Sequence, residues 1–159
     1  MFDPDLTGSG HQPRNFDQMH LLYDHNIVIG AKVRIDCHNN DENRGAYVIA
    51  TIRDSAGSAT NYTDYTESSN SQWKILGIGG SGSADKTLNL KINPNQFLGR
   101  SKPLADPELK GSATTQPQEQ CYLHVSGMCI DQFSPCSVNI MVSIEYTAIF
   151  IEPKQPPQS

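Results

Sequence analysis

The sequence has no apolar run longer than a few residues. A bilayer-spanning helix needs about 20 predominantly apolar residues, and a secretory leader needs a basic start followed by an apolar stretch. Neither pattern occurs, so a soluble chain with no membrane partner is expected. Basic residues are sparse as well: 12 Lys and Arg stand against 17 Asp and Glu, for a formal net charge of -5, and none of the basic residues form a cluster. Nucleic acid is wrapped by clustered cations that displace counterions, so this segment by itself is not expected to wrap it. Charged residues still make up 18% of the 159 positions. With aliphatic residues in short clusters throughout, that balance excludes a disordered chain or a coiled coil and predicts a single folded domain over 1–159.

Signatures of chemistry are also missing. The four cysteines, Cys37, Cys121, Cys129 and Cys136, form no C-x-x-C pair and are expected as free thiols, largely buried. A Cys129–Cys136 bridge across a turn stays open, because spacing does not fix the distance between alpha carbons. The glycine-rich stretch Gly77 to Ser83 lacks the Gly-Lys-Ser/Thr ending of a phosphate loop and reads as a turn. No Gly-x-Ser-x-Gly elbow or catalytic cysteine signature is present, so no catalytic residue and no cofactor is expected. His11, His20 and His25 lie near Asp3, Asp5, Asp17 and Asp24. They read as ordinary hydrogen-bonding groups ahead of a cation site, so no metal is expected.

Alternation with a period of two dominates what is there. Ile27, Ile29, Ala31, Val33, Ile35 and Cys37 share one face of a long strand, with Lys32, Arg34, Asp36 and His38 on the other. Near the C-terminus Val138, Ile140, Val142, Ile144, Tyr146, Ala148 and Phe150 alternate with Asn139, Ser143, Glu145 and Thr147. Both segments are expected as central strands, paired as neighbours. Shorter strands are predicted over 46–54, 61–66, 72–78, 87–92, 109–113 and 121–129, separated by Gly-, Pro- and Asn-rich turns. Eight strands and little helix predict an all-β chain, a β-sandwich or barrel.

Two short helices are predicted, one over Asn15 to Tyr23 capped by Asn15 and one over Asn93 to Gly99 with Asn93 as cap and Pro94 at its first position. The first belongs to an N-terminal segment over 1–25, with the strand-built body over 26–151. Glu152 to Ser159, rich in proline, is expected to leave the sheet as an extended tail.

Residue order also carries a resemblance. Phe2-Asp3-Pro4, Gln12-Pro13-Arg14-Asn15-Phe16-Asp17-Gln18, Leu22-Tyr23-Asp24-His25 and Val28-Ile29-Gly30-Ala31-Lys32 resemble the start of the shell domain in capsid proteins of circovirus-like single-stranded DNA viruses. Trp73 to Gly77, Asn93 to Arg100 followed by Asp106-Pro107, Tyr122-Leu123-His124-Val125 and Phe150-Ile151-Glu152-Pro153 continue it along nearly the whole chain. The resemblance implies an eight-stranded single jelly roll, two facing four-stranded antiparallel sheets as the strand count allows, that self-assembles into an icosahedral shell of the simplest symmetry around a circular single-stranded DNA genome, found in the virion and the host nucleus. It also implies an arginine-rich arm that binds the genome, and no such arm is in this sequence. The acidic balance then fits a shell whose genome-binding charge lies elsewhere.

Lys32, Arg34 and His38, with Arg14 just before that strand, read first as a solvated face and second as a sparse contact to nucleic-acid phosphates. Tyr62, Tyr65 and Trp73 are candidate subunit-interface residues, since aromatics are enriched there, although Trp73 fits a core equally well. Two other classes compete with a shell subunit. One is a jelly-roll binding module, lectin-like or a trimeric receptor-binding domain, which predicts a discrete oligomer with one cleft. The other is a cupin-type enzyme, which needs several convergent His and Glu ligands where His124 stands alone on its strand.

Overall fold

The computed structural model describes residues 4–6, 11–57 and 61–155. Among them are six strands: β1 (Tyr23–Asn39), β2 (Ala46–Arg53), β3 (Ser71–Leu76), β4 (Asp85–Ile92), β5 (Tyr122–Cys129) and β6 (Val138–Pro153). They form two antiparallel three-stranded sheets, ordered β4-β1-β6 and β3-β2-β5. The first strand neighbours the last and the second neighbours the fifth. This nesting is how a jelly roll wraps, and the pairing of β1 with β6 is the one expected from their matching lengths.

Two expected strands are absent. Residues 61–66 form a helix, α2 (Tyr62–Thr66). A period of two there would set Tyr62, Asp64 and Thr66 on one face and give no apolar side, whereas the helical turn buries Tyr65 and leaves Thr63 and Asp64 outside. Residues 109–113 contribute a single bridge, Gly111 to Asn26. Pro107–Leu109 winds as a 3-10 turn capped by Asp106, whose carboxylate accepts from Glu108 N at 3.0 Å. Beyond the bridge the Thr114 and Thr115 amides both turn to Ser112 Oγ, so no ladder extends. Each sheet therefore has three strands where four were expected.

The chain groups into two compact units, Met1–Ala31 with Ile92–Gln120 and Tyr146–Ser159, and Lys32–Lys91 with Cys121–Glu145. In the first, helix α1 (Phe16–His20) lays the Phe16 ring 4.5 Å from His20, which in turn meets Phe150 edge-on at 5.3 Å. Asn15 precedes this helix in the left-handed region, φ 65°, and its side chain makes no cap bond, contrary to expectation. Asn93 does cap α3 (Pro94–Phe97), accepting from the amides of Asn95 and Gln96, and Gly99 ends that turn at φ 70°. The last strand runs to Pro153, further than its prolines suggested, and Lys154 remains tied, its amide to Leu22 O at 2.8 Å and its Nζ to His20 O at 2.7 Å.

In the second unit Val33, Ile35, Cys37, Leu88 and Leu90 from one sheet and Ala46, Val48, Ala50, Ile52, Leu76 and Cys129 from the other are all buried and make its core. Asn39, fully buried, closes the end of β1: Nδ2 donates to Arg44 O at 2.7 Å and Gly77 O at 2.8 Å, and Oδ1 accepts from Asp41 N at 3.0 Å. A buried amide with these bonds made fixes the β1–β2 turn against the end of β3.

Candidate interaction surfaces

Three surfaces of the second unit carry side chains that the fold itself does not need. The first is the outer face of the β3-β2-β5 sheet. Antiparallel register sets Ile75 beside Tyr47 and Tyr47 beside Met128, with Trp73 beside Ile49 in the next row. Opposite residues in an antiparallel pair project to the same side, so these large side chains form one band across all three strands. Trp73 is 52% exposed and Ile75 45%, and the Trp73 ring meets Tyr47 at 6.4 Å. Alternation explains their place: Ala46, Val48, Ala50 and Ile52 take the core side of β2, which sets Tyr47 on the other face together with Ile49 and Thr51, themselves buried.

The three aromatics expected at an interface are placed differently from one another. Tyr65 is buried within its own chain, its ring 5.9 Å from His124 and 6.0 Å from the Arg53 guanidinium. Tyr62 accepts a hydrogen bond from Gln132 Nε2 at 3.3 Å. Trp73 is the one that stays substantially exposed.

The second surface is the outward face of β1. Lys32, Arg34, Asp36 and His38 follow one another there, as alternation predicted, and each basic side chain meets an acid. Lys32 bonds Glu145 at 2.9 Å, Arg34 bonds Asp36 at 2.9 Å and His38 bonds Asp85 at 2.6 Å. Hydrogen bonds from Arg34 and from Thr87 hold the Asp36 carboxyl below its ordinary range. A shallow depression of about 570 Å³ lies here, lined among others by Asp36, His38, Asp85, Thr87, Asn139 and Met141. Its two carboxylates are already engaged by those partners. Arg14 belongs to the first unit and is exposed.

The third surface is β6 over Val138–Ile144, at the edge of its sheet. Ile140, Met141 and Val142 are all exposed, Met141 to 63%. Alternation in the sequence identified the two faces of this strand but placed it at the sheet centre. Position in the sheet depends on which strands pair, and the sequence of one strand does not carry that.

The remaining candidates resolve into local contacts. In the glycine turn, Gly77 N donates to Ser83 O and Gly79 N to Asp41 O, so these amides are engaged by backbone carbonyls. His25 pairs with Glu152 at 2.8 Å, His20 Nε2 accepts from Asn26 Nδ2 at 2.9 Å, and Asp24 lies 3.7 Å from Lys154. Asp3 lies outside the described residues. Among the described residues no group of three or more His, Cys, Asp or Glu is arranged to hold a metal. No helix among them is long and apolar enough to cross a membrane. All four cysteines are free thiols. Burial, followed by a hydrogen bond to Cys129, pushes the Cys136 thiol up to about 11, so these two side chains are neighbours.

No family model matches the chain, and no curated protein does. Among solved structures, a chain of Desmodium yellow mottle tymovirus is similar at 16% identity, covering 92% of this chain and 76% of that one with a TM-score of 0.45. A chain of the empty head of turnip yellow mosaic virus is similar at 14% identity, covering 93% of this chain and 71% of that one with a TM-score of 0.47. Likeness at this level leaves the function to be argued from the chain's own residues.

Proposed function

We propose that this chain is a structural, non-enzymatic subunit that self-assembles into the closed shell of a virus. The observation that carries the reading is the pair of apolar surfaces left outside a well-filled core: the Trp73–Ile75–Tyr47–Met128 band and the Ile140–Met141–Val142 edge. Monomeric proteins rarely expose contiguous apolar surface without using it. Two different patches on one chain also permit the head-to-tail contacts by which rotation closes a ring or shell. The nested strand order and the resemblance to circovirus-like shell domains point the same way, and they add a single-stranded DNA genome, the simplest icosahedral symmetry and a nuclear stage in the host as the finer proposal.

The β1 face, with each basic side chain matched by an acid, is in this reading a solvated surface that recruits phosphate only weakly, and the genome-binding charge lies outside this segment. Light scattering and negative-stain microscopy on the purified chain test the proposal. Uniform closed particles are expected, with an absorbance ratio at 260 and 280 nm typical of protein after a high-salt wash. A monomer or trimer at every concentration overturns the reading and promotes a binding module.

A further inference from the structure

The edge of β6 is unusual for what it lacks. Natural sheets protect edge strands with lysines, prolines, bulges or short length. Val138–Ile144 contains no proline, glycine or charged residue and belongs to a 16-residue strand. One side of the strand is engaged with β1: Lys32 reaches Glu145, Asn139 Nδ2 donates to Asn40 Oδ1 at 3.3 Å, and Asn40 N donates to Ser137 O at 2.9 Å. No strand borders the other side among the described residues. Glu145 shares the outward face with Lys32, so Ile140 and Val142, of opposite parity, lie on the face of the buried Val33, Ile35 and Cys37. Both are nevertheless exposed, 39% and 42%, so core-face residues are left uncovered at this edge.

We propose that this edge docks a second copy of the same chain, β6 pairing antiparallel with β6 across a two-fold axis at Met141. The inference rests on the self-assembling reading above and names one of its contacts. A two-fold axis normal to the sheet keeps the core faces of both copies on one side, which requires opposite residues to have the same parity. Centred on Met141, the pairing sets Ile140 opposite Val142, Val138 opposite Ile144, Asn139 opposite Ser143 and Met141 opposite itself. Apolar meets apolar and polar meets polar, the arrangement that stabilises cross-strand pairs. Charge selects the same occupant. A partner recognised by charge finds none between Val138 and Ile144, and Glu145 is already matched by Lys32. Two copies of this uncharged strand meet without opposing like charges.

The test uses the full chain carrying Met141→Cys, treated with glutathione disulfide. The two introduced thiols, one from each copy, give up two protons and two electrons to one glutathione disulfide, forming one interchain bond and two glutathiones. Cross-strand alpha carbons about 4.5–5.5 Å apart fall within disulfide range. Most chains are expected as covalent dimers whose cross-linked peptide maps to the substituted position on both sides. A second variant, Ile140→Lys with Val142→Lys, sets lysine against lysine across the axis and is expected to lose the dimer contact while keeping its melting temperature. Particles that form without this cross-link, and that the double lysine variant forms equally well, overturn this contact and leave the shell reading intact. Dimers cross-linked at the substituted position without any larger particle support the contact and overturn the shell reading. Chains that stay monomeric and uncross-linked overturn both.

Discussion

β1 and β6 are nearly equal in length and alternate in the same way, yet one is the centre of its sheet and the other its edge. Ile35 on β1 is fully buried, whereas Val142, on the same face of β6, is 42% exposed. The difference teaches that alternation reports which residues share a side and says nothing of how many strands lie beside them. A strand gains burial from its neighbours, and among the described residues β6 over Val138–Ile144 has β1 on one side only.

The sharpest way to break the comparison is to place one charge on each strand. Ile35→Asp leaves an unpaired carboxylate in the core and is expected to cost more than about 3 kcal/mol, enough to abolish the folded state of a marginally stable chain. Val142→Asp is expected to fold with a melting temperature close to the original and to lose association instead. Circular dichroism melts and sedimentation of the two variants check this, and equal loss of folding in both would show that β6 is covered as fully as β1.

Thiol reactivity gives a second measure. Burial raises the Cys37 thiol above its ordinary value, and a buried thiol reacts only when the structure opens. Iodoacetamide is expected to modify Cys37 slower than a cysteine introduced as Phe133→Cys, a position 95% exposed and away from the β6 edge, by roughly a hundredfold or more at neutral pH. Mass-spectrometric time courses on the two sites measure the ratio. Cys136, with its value of about 11, should react faster with each rise in pH through the alkaline range, in step with its thiolate fraction.

Further along, β6 is covered, and pH reads that out. His20 packs on Phe150, and burial lowers its imidazole below 6.5, with nearby Lys154 adding in the same direction. The folded state therefore binds a proton less readily than the unfolded chain. Stability from this site is fully present above 6.5 and is lost as pH falls through the lowered value. Melting temperatures measured downward from pH 7 should drop in that window, and His20→Gln should flatten the drop. The smallest effect is expected for the ion pair that links the two strands. Lys32 and Glu145 are both mostly exposed, and Lys32→Ala should change stability by no more than about 1 kcal/mol in a denaturant titration.

Much of the fold was legible residue by residue. The period of two gave both long strands and their faces, and Asn93-Pro94 with Gly99 gave a capped helical turn, because each signal is local to a few residues. Tyr62 to Thr66 misled, since Tyr and Thr favour strands while burial of Tyr65 favoured a helix here. Asn15 misled through backbone conformation: it has a capping side chain but sits at positive φ and makes no cap bond. Of the three hydrogen bonds of the buried Asn39, those with Arg44 and Asp41 are local, while the third depends on Gly77, far along the chain. Of the candidate interface, Trp73 was visible as an aromatic in a strand, but the band it forms with Tyr47 and Met128 depends on register between separate segments.

The sequence by itself determined that the chain is built of strands, which residues turn to one side of each, where helical turns are capped, and that it lacks the clustered cations for wrapping nucleic acid. These follow from backbone geometry and composition, which act locally. Tertiary structure alone decided that the described residues form two three-stranded sheets, that β6 is an edge among them, that Tyr65 goes inside while Trp73 stays out, and that each basic side chain on the outward face of β1 meets an acid. Those outcomes depend on which distant segments come to lie side by side, because burial and charge pairing are properties of neighbours in space.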